Sequence, residues 1–329
     1  MVNAGSTSLK LSVVSLDGSA FELGSLEEGP AELAAVAHRV VHGGPDFHEP
    51  VLVDDEVVRR LEALVELAPL HNAPALRAIA EARRLLPDSR HVAVFDTAFH
   101  ASIPPVASTY ALPRRVREDF GIRRYGFHGL SVEWAAECVP VELLVVCHLG
   151  GGCSVTAVCK GRSVDTTMGF TPLEGVPMGT RPGSVDPGAL LYLLRHGLTL
   201  DELDGTLEHD SGLLGLAGTQ RVDELERRDD DEARLALEVF AYRVAGAIAS
   251  MSVALGGLEA LVFTAGIGEN SALVRKLVCE RLGGLGEFDV LVLHAREDLV
   301  AARAARALLG LSPQKMSPPS LSPGPGVGK

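Results

Sequence analysis

The residues of this chain best suited to chemistry are arginines, a histidine and an acid set among glycines. Arg181 lies in Met178-Gly179-Thr180-Arg181-Pro182-Gly183 and His128 in Gly126-Phe127-His128-Gly129. An arginine framed by glycine and proline suits a carboxylate or phosphoryl clamp, because its planar fork meets two anionic oxygens at once. Arg39 has apolar neighbours in Arg39-Val40-Val41, and a charge entering a buried strand needs an anionic partner. Asp96 closes the apolar run 91–95. The C-terminal end of a strand is where α/β proteins place catalytic groups, although an acid there also serves as a plain loop cap. No acidic zinc pattern lies between His38 and His42, so the pair reads as part of a strand.

Glycine turns supply the second kind of site. His148-Leu149-Gly150-Gly151-Gly152 ends an apolar run, 141–147, and precedes an alternating one, 154–158. Glycine lets the backbone N–H groups of such a turn face an anion closely, though hairpins use glycine for steric reasons too. Asn3-Ala4-Gly5-Ser6-Thr7-Ser8-Leu9-Lys10 also enters an alternating strand, 9–14. It lacks the second glycine and the following helix of a Walker loop. Two such strand–turn–strand cradles suggest two related halves facing one polyphosphate. A third glycine loop, 263–271, closes strand 260–263 ahead of a helix at 272–282, a place for a ribose or phosphate.

The elements that must hold these groups alternate in type along the chain. Strands are expected at 38–42, 91–95 and 289–294. Helices are expected at 31–36, 54–67, 75–86, 114–120, 187–196, 200–207, 233–255 and 296–309. Ala68-Pro69-Leu70-His71-Asn72-Ala73-Pro74 reads as a stop between two helices, and 209–215 as a loop. From 312 onward the Pro/Ser/Gly composition predicts a disordered tail.

At 329 residues and 47% hydrophobic content the chain can bury a large core, in two domains. A net charge of −13 argues against broad contact with nucleic acid or an anionic membrane. Five cysteines without a CxxC pair fit reduced thiols in the core of a cytoplasmic protein. No leader sequence is visible, and the apolar stretch 244–258 is too short for a bilayer and reads as a buried helix.

Taken in order, HRVVHGG (38–44), FDTAFH (95–100), RRYGFHG (123–129), SVDTTMGFTPLEG (163–175), MGTRPG (178–183), SGLLG (211–215) and FTAGIGENS (263–271) closely resemble the acetate kinases. That family stands within the sugar kinase, heat-shock 70 and actin group. The resemblance implies two duplicated actin-like (ribonuclease H-like) α/β domains with an interdomain cleft. It divides the chain into an N-terminal domain at 1–138, a nucleotide-binding domain at 139–292 and a closing helix at 293–311 returning to the first. The implied reaction is magnesium-dependent transfer of the ATP γ-phosphoryl group to acetate, with Mn²⁺ an alternative ion, in a cytoplasmic homodimer. Relatives preferring propionate or butyrate, or using pyrophosphate, are the alternatives, as is a degenerate member that only binds.

By the same resemblance, Arg39 and Arg181 are the clamps, His128 a donor to the transferring group, and Asp96 the acid that orients Arg39 and helps place the metal. Asn3 and Glu297 match the metal positions. Ser6, Ser8 and Lys10 match the first phosphate loop, and His148, Leu149, Gly150, Gly151 and Gly152 the second. Gly266, Ile267, Gly268, Glu269 and Asn270 match the adenosine loop, and Val41, Leu70, Phe127 and Pro172 the pocket around the acetate methyl. Four departures stand out. Two residues precede Asn3 where the family has most of a strand, and the segment before Arg39 is shorter by tens of residues. Gly151 replaces an asparagine. The nucleotide-binding Asp-Met-Arg appears as Arg221-Val222-Asp223, its charges exchanged.

Overall fold

Twelve strands form two six-stranded sheets in the computed structural model, which describes residues 1–4, 9–15, 17–30, 33–311 and 322–323. The first sheet holds β1 (Val2–Ala4), β2 (Leu9–Val14), β3 (Ala20–Leu23), β4 (Val36–Val40), β5 (Val51–Leu52) and β6 (His91–Phe95). The second holds β7 (Leu143–Leu149), β8 (Cys153–Cys159), β9 (Arg162–Thr166), β10 (Ala260–Thr264), β11 (Asp289–Val292) and β12 (Ser322–Pro323). Their orders are β3-β2-β1-β4-β6-β5 and β9-β8-β7-β10-β11-β12. In each, three antiparallel strands lead to two parallel pairings and one antiparallel edge.

Two units divide the described chain. The first comprises residues to Ala101, Phe127–Trp134 and 296–311; the second comprises Ser102–Gly126, Ala135–Ala295 and β12. In the first, β6 is buried at every position, as expected of a strand covered on both faces. Helix Pro69–Leu85 packs on β1 and β4, and helix Glu297–Leu308 on β2, β4 and β6. The core gathers Val2, Leu11, Val40, Phe47, Leu61, Ile79 and Phe95. In the second, helix Asp231–Leu255 lies along β7, β8 and β9. It is long and apolar enough to cross a membrane by composition alone, but it buries Phe240, Val244, Ile248 and Met251 in this unit, as a core helix does.

Four expectations need correction. The helix at 31–36 does not form over the described part, since 33–35 are irregular and Val36 already pairs with His91. Six residues cannot repay helix nucleation against a strand pairing. The stop at 68–74 is instead the start of helix Pro69–Leu85, with Pro69 in its first turn and Pro74 inside it. There the first turn carries orphan N–H groups in any case, which lowers the penalty for proline. Residues 209–215 contain the start of a helix, Gly212–Ala217, and the third glycine loop coils into helix Ala265–Asn270. In the first segment Gly212 and Gly215 serve close approach, whereas Gly266 of the second has open space around it. Ser322–Pro323 pairs with β11; the rest of the tail, like Ser6 and Ser8, lies outside the described residues.

Candidate active site

Arg39 is carried on β4 beside β1 and β6, and this alone brings Asn3, Arg39 and Asp96 to neighbouring positions. Arg39 Nε donates to Asp96 Oδ1 at 2.9 Å and Nη2 to Oδ2 at 2.5 Å, a two-pronged pair with a fully buried carboxylate. Arg39 Nη1 donates to Asn3 Oδ1 at 3.1 Å and lies 3.4 Å from Glu297 Oε2, which also accepts from Asn3 Nδ2 at 3.4 Å. Burial by itself would depress the guanidinium's basicity, yet Asp96 and Glu297 drive its pKa upward. Burial raises the Glu297 pKa, Arg39 opposes this and Asp96 adds to it. Lys10 is exposed on β2, its charge felt at Glu297.

Asp96 also reaches His128 through the backbone. Its carbonyl accepts from Gly129 N at 2.9 Å, at the start of helix Gly129–Cys138. A Cβ on Gly129 would stand 2.1 Å from that oxygen, so only glycine permits the contact. His128 itself has φ of 60°, a conformation uncommon outside glycine that a functional position can retain. Of the expected methyl pocket, Val41 and Phe127 are buried and Leu70 is half-buried in the first unit, while Pro172 is buried in the second. His42 rests edge-on against Phe127.

In the second unit the glycine turn joins β7 to β8, with Leu149 paired to Cys153 and Gly150–Gly152 at the tip. His148 is buried on β7, whereas Gly151 is exposed with nothing within 4 Å of a Cβ placed there. Gly151 O accepts from Gly179 N at 3.3 Å, which ties the turn to the Arg181 loop. Ala265 comes within 3.5 Å of a Cβ on Gly150, so the glycine turn also meets helix Ala265–Asn270. In that helix Gly266 and Asn270 are exposed, Ile267 half-buried and Gly268 buried. Glu269 turns to His294 Nδ1 and Ala295 N, at 2.6 and 3.0 Å. Arg221 and Asp223 clasp each other at 2.8 Å on the surface around buried Val222. The exchanged charges therefore satisfy one another.

Arg181 is buried. Its Nη1 donates to Pro172 O at 3.3 Å and lies 3.8 Å from Met178 Sδ, while Nε stands 3.1 Å from Glu208 Oε2. The loop beneath is held by the SGLLG segment. Ser211 N, Leu213 N and Leu214 N donate to the carbonyls of Thr180, Met178 and Gly179 at 2.9, 3.0 and 2.9 Å. Gly212 must be glycine, because a Cβ would sit 2.2 Å from Met178 O. The Pro172 loop is anchored by Arg124, which donates to Thr166 O, Thr167 O and Met168 O and pairs with Glu174 at 2.9 Å, with Tyr110 hydroxyl on the same carboxylate. Sequence reasoning missed Glu208, Arg124, Glu174 and Tyr110; Arg124 left a signal as the second arginine of the RRYGFHG run, and Glu174 as the acid of SVDTTMGFTPLEG.

No group of three or more metal-ligating side chains occurs among the described residues. Magnesium does not need one, since it keeps several waters and binds through one or two carboxylates plus phosphates. Asn3 and Glu297 are hard oxygen donors, and a buried carboxylate that burial drives toward its neutral form is stabilised as an anion by a divalent cation. The donor set fits the ion.

Two sheets of one strand order, each with an antiparallel strand pair beside its parallel strands, define a duplicated actin-like α/β protein, with one arginine on a strand and another, buried, on a loop. A family model described as the Acetokinase family matches residues 20–307. An acetate kinase of Pseudarthrobacter chlorophenolicus is 48% identical over 303 residues, covering 89% of this chain and 77% of the relative. The crystal structure of the Porphyromonas gingivalis acetate kinase superposes with a TM-score of 0.79 at 30% identity, covering 94% and 92%. A propionate kinase from Francisella tularensis superposes with a TM-score of 0.79 at 37% identity, covering 82% and 78%. The chain belongs to the acetokinase family.

Proposed function

We propose that this chain is an acetate kinase, reversibly transferring the γ-phosphoryl group of ATP to acetate to give acetyl phosphate and ADP. The observation that carries the reading is Arg39, locked through both prongs by buried Asp96 beside the oxygen donors Asn3 and Glu297. Acetate is already an anion at neutral pH, so its attack on phosphorus needs no general base. What the reaction requires is positioning of two anions and donors aimed at the charge that develops during transfer. Arg39 and Arg181 serve as those fixed cations, and His128 as a donor to the transferring group. Asp96 keeps Arg39 in one orientation and does not itself exchange a proton. Asn3 and Glu297 hold Mg²⁺ or Mn²⁺, which when bound neutralises phosphate charge.

His148 to Gly152, with Ser6, Ser8 and Lys10, cradle the phosphates. Gly266 to Asn270 and Arg221 to Asp223 contact the nucleoside. Val41, Leu70, Phe127 and Pro172 enclose the methyl group, where each extra methylene is worth about 1–3 kcal/mol, so propionate reacts more poorly than acetate. Two copies pair through helix Pro187–Arg195. Leu191 and Tyr192 there are 50% and 59% exposed and neighbouring Leu200 is 72%, a concentration of apolar surface that marks an interface. The enzyme works in the cytoplasm, consistent with five cysteines none of which is in a disulfide.

The test is acyl phosphate formation, trapped as hydroxamate, with acetate, propionate and butyrate, each with ATP and with pyrophosphate. Acetate with ATP should lead, and excess EDTA should abolish the signal. Full activity in EDTA would remove Asn3 and Glu297 from the mechanism.

A further inference from the structure

We propose that Glu208 is a positioning residue for Arg181, its carboxylate facing the guanidinium at Nε as an ion pair, without a hydrogen bond, while its main chain fixes the loop beneath. The inference rests on the role given to Arg181 above. Glu208 stands in the last turn of helix Leu200–His209, and its side chain and that of Arg181 are only 15% and 10% exposed. Glu208 O accepts from Thr180 Oγ1 at 2.8 Å, so one residue grips both the clamp and its immediate neighbour.

The chemistry of a clamp demands this. A guanidinium turns about several single bonds, and only a held one presents the same edge to every substrate. Pro172 O and Met178 Sδ engage Nη1 and are neutral. Glu208 brings the anionic charge that a buried cation requires. The direction of the shifts agrees with the geometry: burial lowers the Arg181 pKa against the pull of Glu208, and burial raises that of Glu208 against Arg181.

Removing the carboxylate should loosen the guanidinium, which then keeps its neutral contacts to Pro172 O and Met178 Sδ, without undoing the loop. The loop keeps its bonds from Thr180 Oγ1 to Glu208 O and from the backbone of Ser211, Leu213 and Leu214, none of which uses the Glu208 side chain. A structural salt bridge would show itself in stability. A positioning residue shows itself in turnover, and only while Arg181 is present.

The experiment is a double-mutant cycle on the full chain with Glu208→Ala, Glu208→Gln, Arg181→Ala and the combined Arg181→Ala/Glu208→Ala, followed by kcat, KM for acetate and ATP, and Tm. Glu208→Ala should lower kcat by about 30-fold or more, the scale of a misplaced catalytic group, with the KM for ATP within about twofold. Glu208→Gln, which keeps the shape and removes the charge, should lose nearly as much as alanine, because Oε2 faces Nε as an ion-pair partner and makes no hydrogen bond. In the Arg181→Ala background the Glu208 change should cost less than about threefold.

Independent, multiplicative losses would overturn the proposal, as would Glu208→Ala turning over within about threefold of wild type. If Glu208→Ala does not fold, the near-isosteric Glu208→Gln replaces it in the cycle, where a loss that persists without Arg181 is equally fatal. Arg181→Ala with near-normal kcat would take Arg181 out of the site and this inference with it. An inactive parent protein defeats the acetate kinase reading itself, whereas failure of this inference appears only in the cycle, with the parent active.

Discussion

Burial acts on Arg39 and Arg181 in the same direction, lowering the basicity of both guanidiniums, but their partners answer differently. Asp96 and Glu297 overcome it at Arg39, while Glu208 only moderates it at Arg181. Replacing either arginine by alanine should cut kcat by roughly two to four orders of magnitude, since each would face charge that grows during transfer. His128→Ala should cost less, a neutral donor being weaker than a cation. The hydroxamate assay decides; either arginine variant above a third of wild-type kcat leaves the site. Two glycines sharpen the same scale. Gly129→Ala drives a methyl into Asp96 O and should destabilise by on the order of 2 kcal/mol or more. Gly151→Asn meets open space and should leave Tm unchanged within about a degree or two, changing only nucleotide KM. A Gly129→Ala protein melting with wild type would show that the backbone link to Asp96 is dispensable.

At the scale of elements, β4 and β6 bring a buried histidine pair together. His91 Nε2 donates to Leu86 O, so its Nδ1 accepts from His38 Nε2 at 2.9 Å, leaving His38 Nδ1 buried without a hydrogen-bond partner. Burial, then His91 and the amino terminus, lower the His38 pKa to about 3, and burial lowers that of His100, a donor to Phe127 O, to about 4. A histidine depressed in the folded state binds its proton first in the unfolded chain. Stability is therefore complete above the unfolded value of 6.5 and falls as pH drops from there toward 4. Each such histidine contributes a slope of up to about 1.4 kcal/mol per pH unit. Urea midpoints between pH 7.5 and 5 should show the decline, and His38→Gln should flatten it; an unchanged slope would clear His38.

Much of this layer was legible. β2 and β6 stand where alternation and the apolar run put them, and helix Asp231–Leu255 begins within two residues of its expected start. The failures share a cause. Gly212, which has a φ of 60° and a close approach to Met178 O, and the glycines of 265–270, which have neither, read alike as turns because composition alone does not tell these cases apart. Pro69 read as a stop although proline is tolerated where a helix begins, and Pro74, inside the helix, has no such account. Glu208 carried no local signal, because its partner is chosen by the packing of a helix end onto the Arg181 loop.

For the whole molecule, the shared strand order makes β1–β2 the counterpart of β7–β8, and β4 that of β10. The two strand pairs noticed in the sequence thus hold the same place in two copies. One copy bears Arg39 and Asp96, the other the glycine tip and Arg181. Pairing through helix Pro187–Arg195 should respond to charge placed on its apolar surface. Leu191→Glu with Tyr192→Glu should turn a dimer into a monomer by sedimentation, and an unchanged sedimentation coefficient would move the interface elsewhere.

The first unit also borrows its last helix from far along the chain. Glu297 meets Asn3 and Arg39, and Arg306 Nη2 donates to Val14 O and Ser15 O at 3.1 and 3.0 Å. A ribosome delivers Asn3 and Arg39 early and Glu297 only after residues 135–295 of the second unit have emerged. A nascent or prematurely terminated chain therefore holds the arginine clamp without the acid that completes it. Such a chain has no finished reaction centre with which to spend ATP.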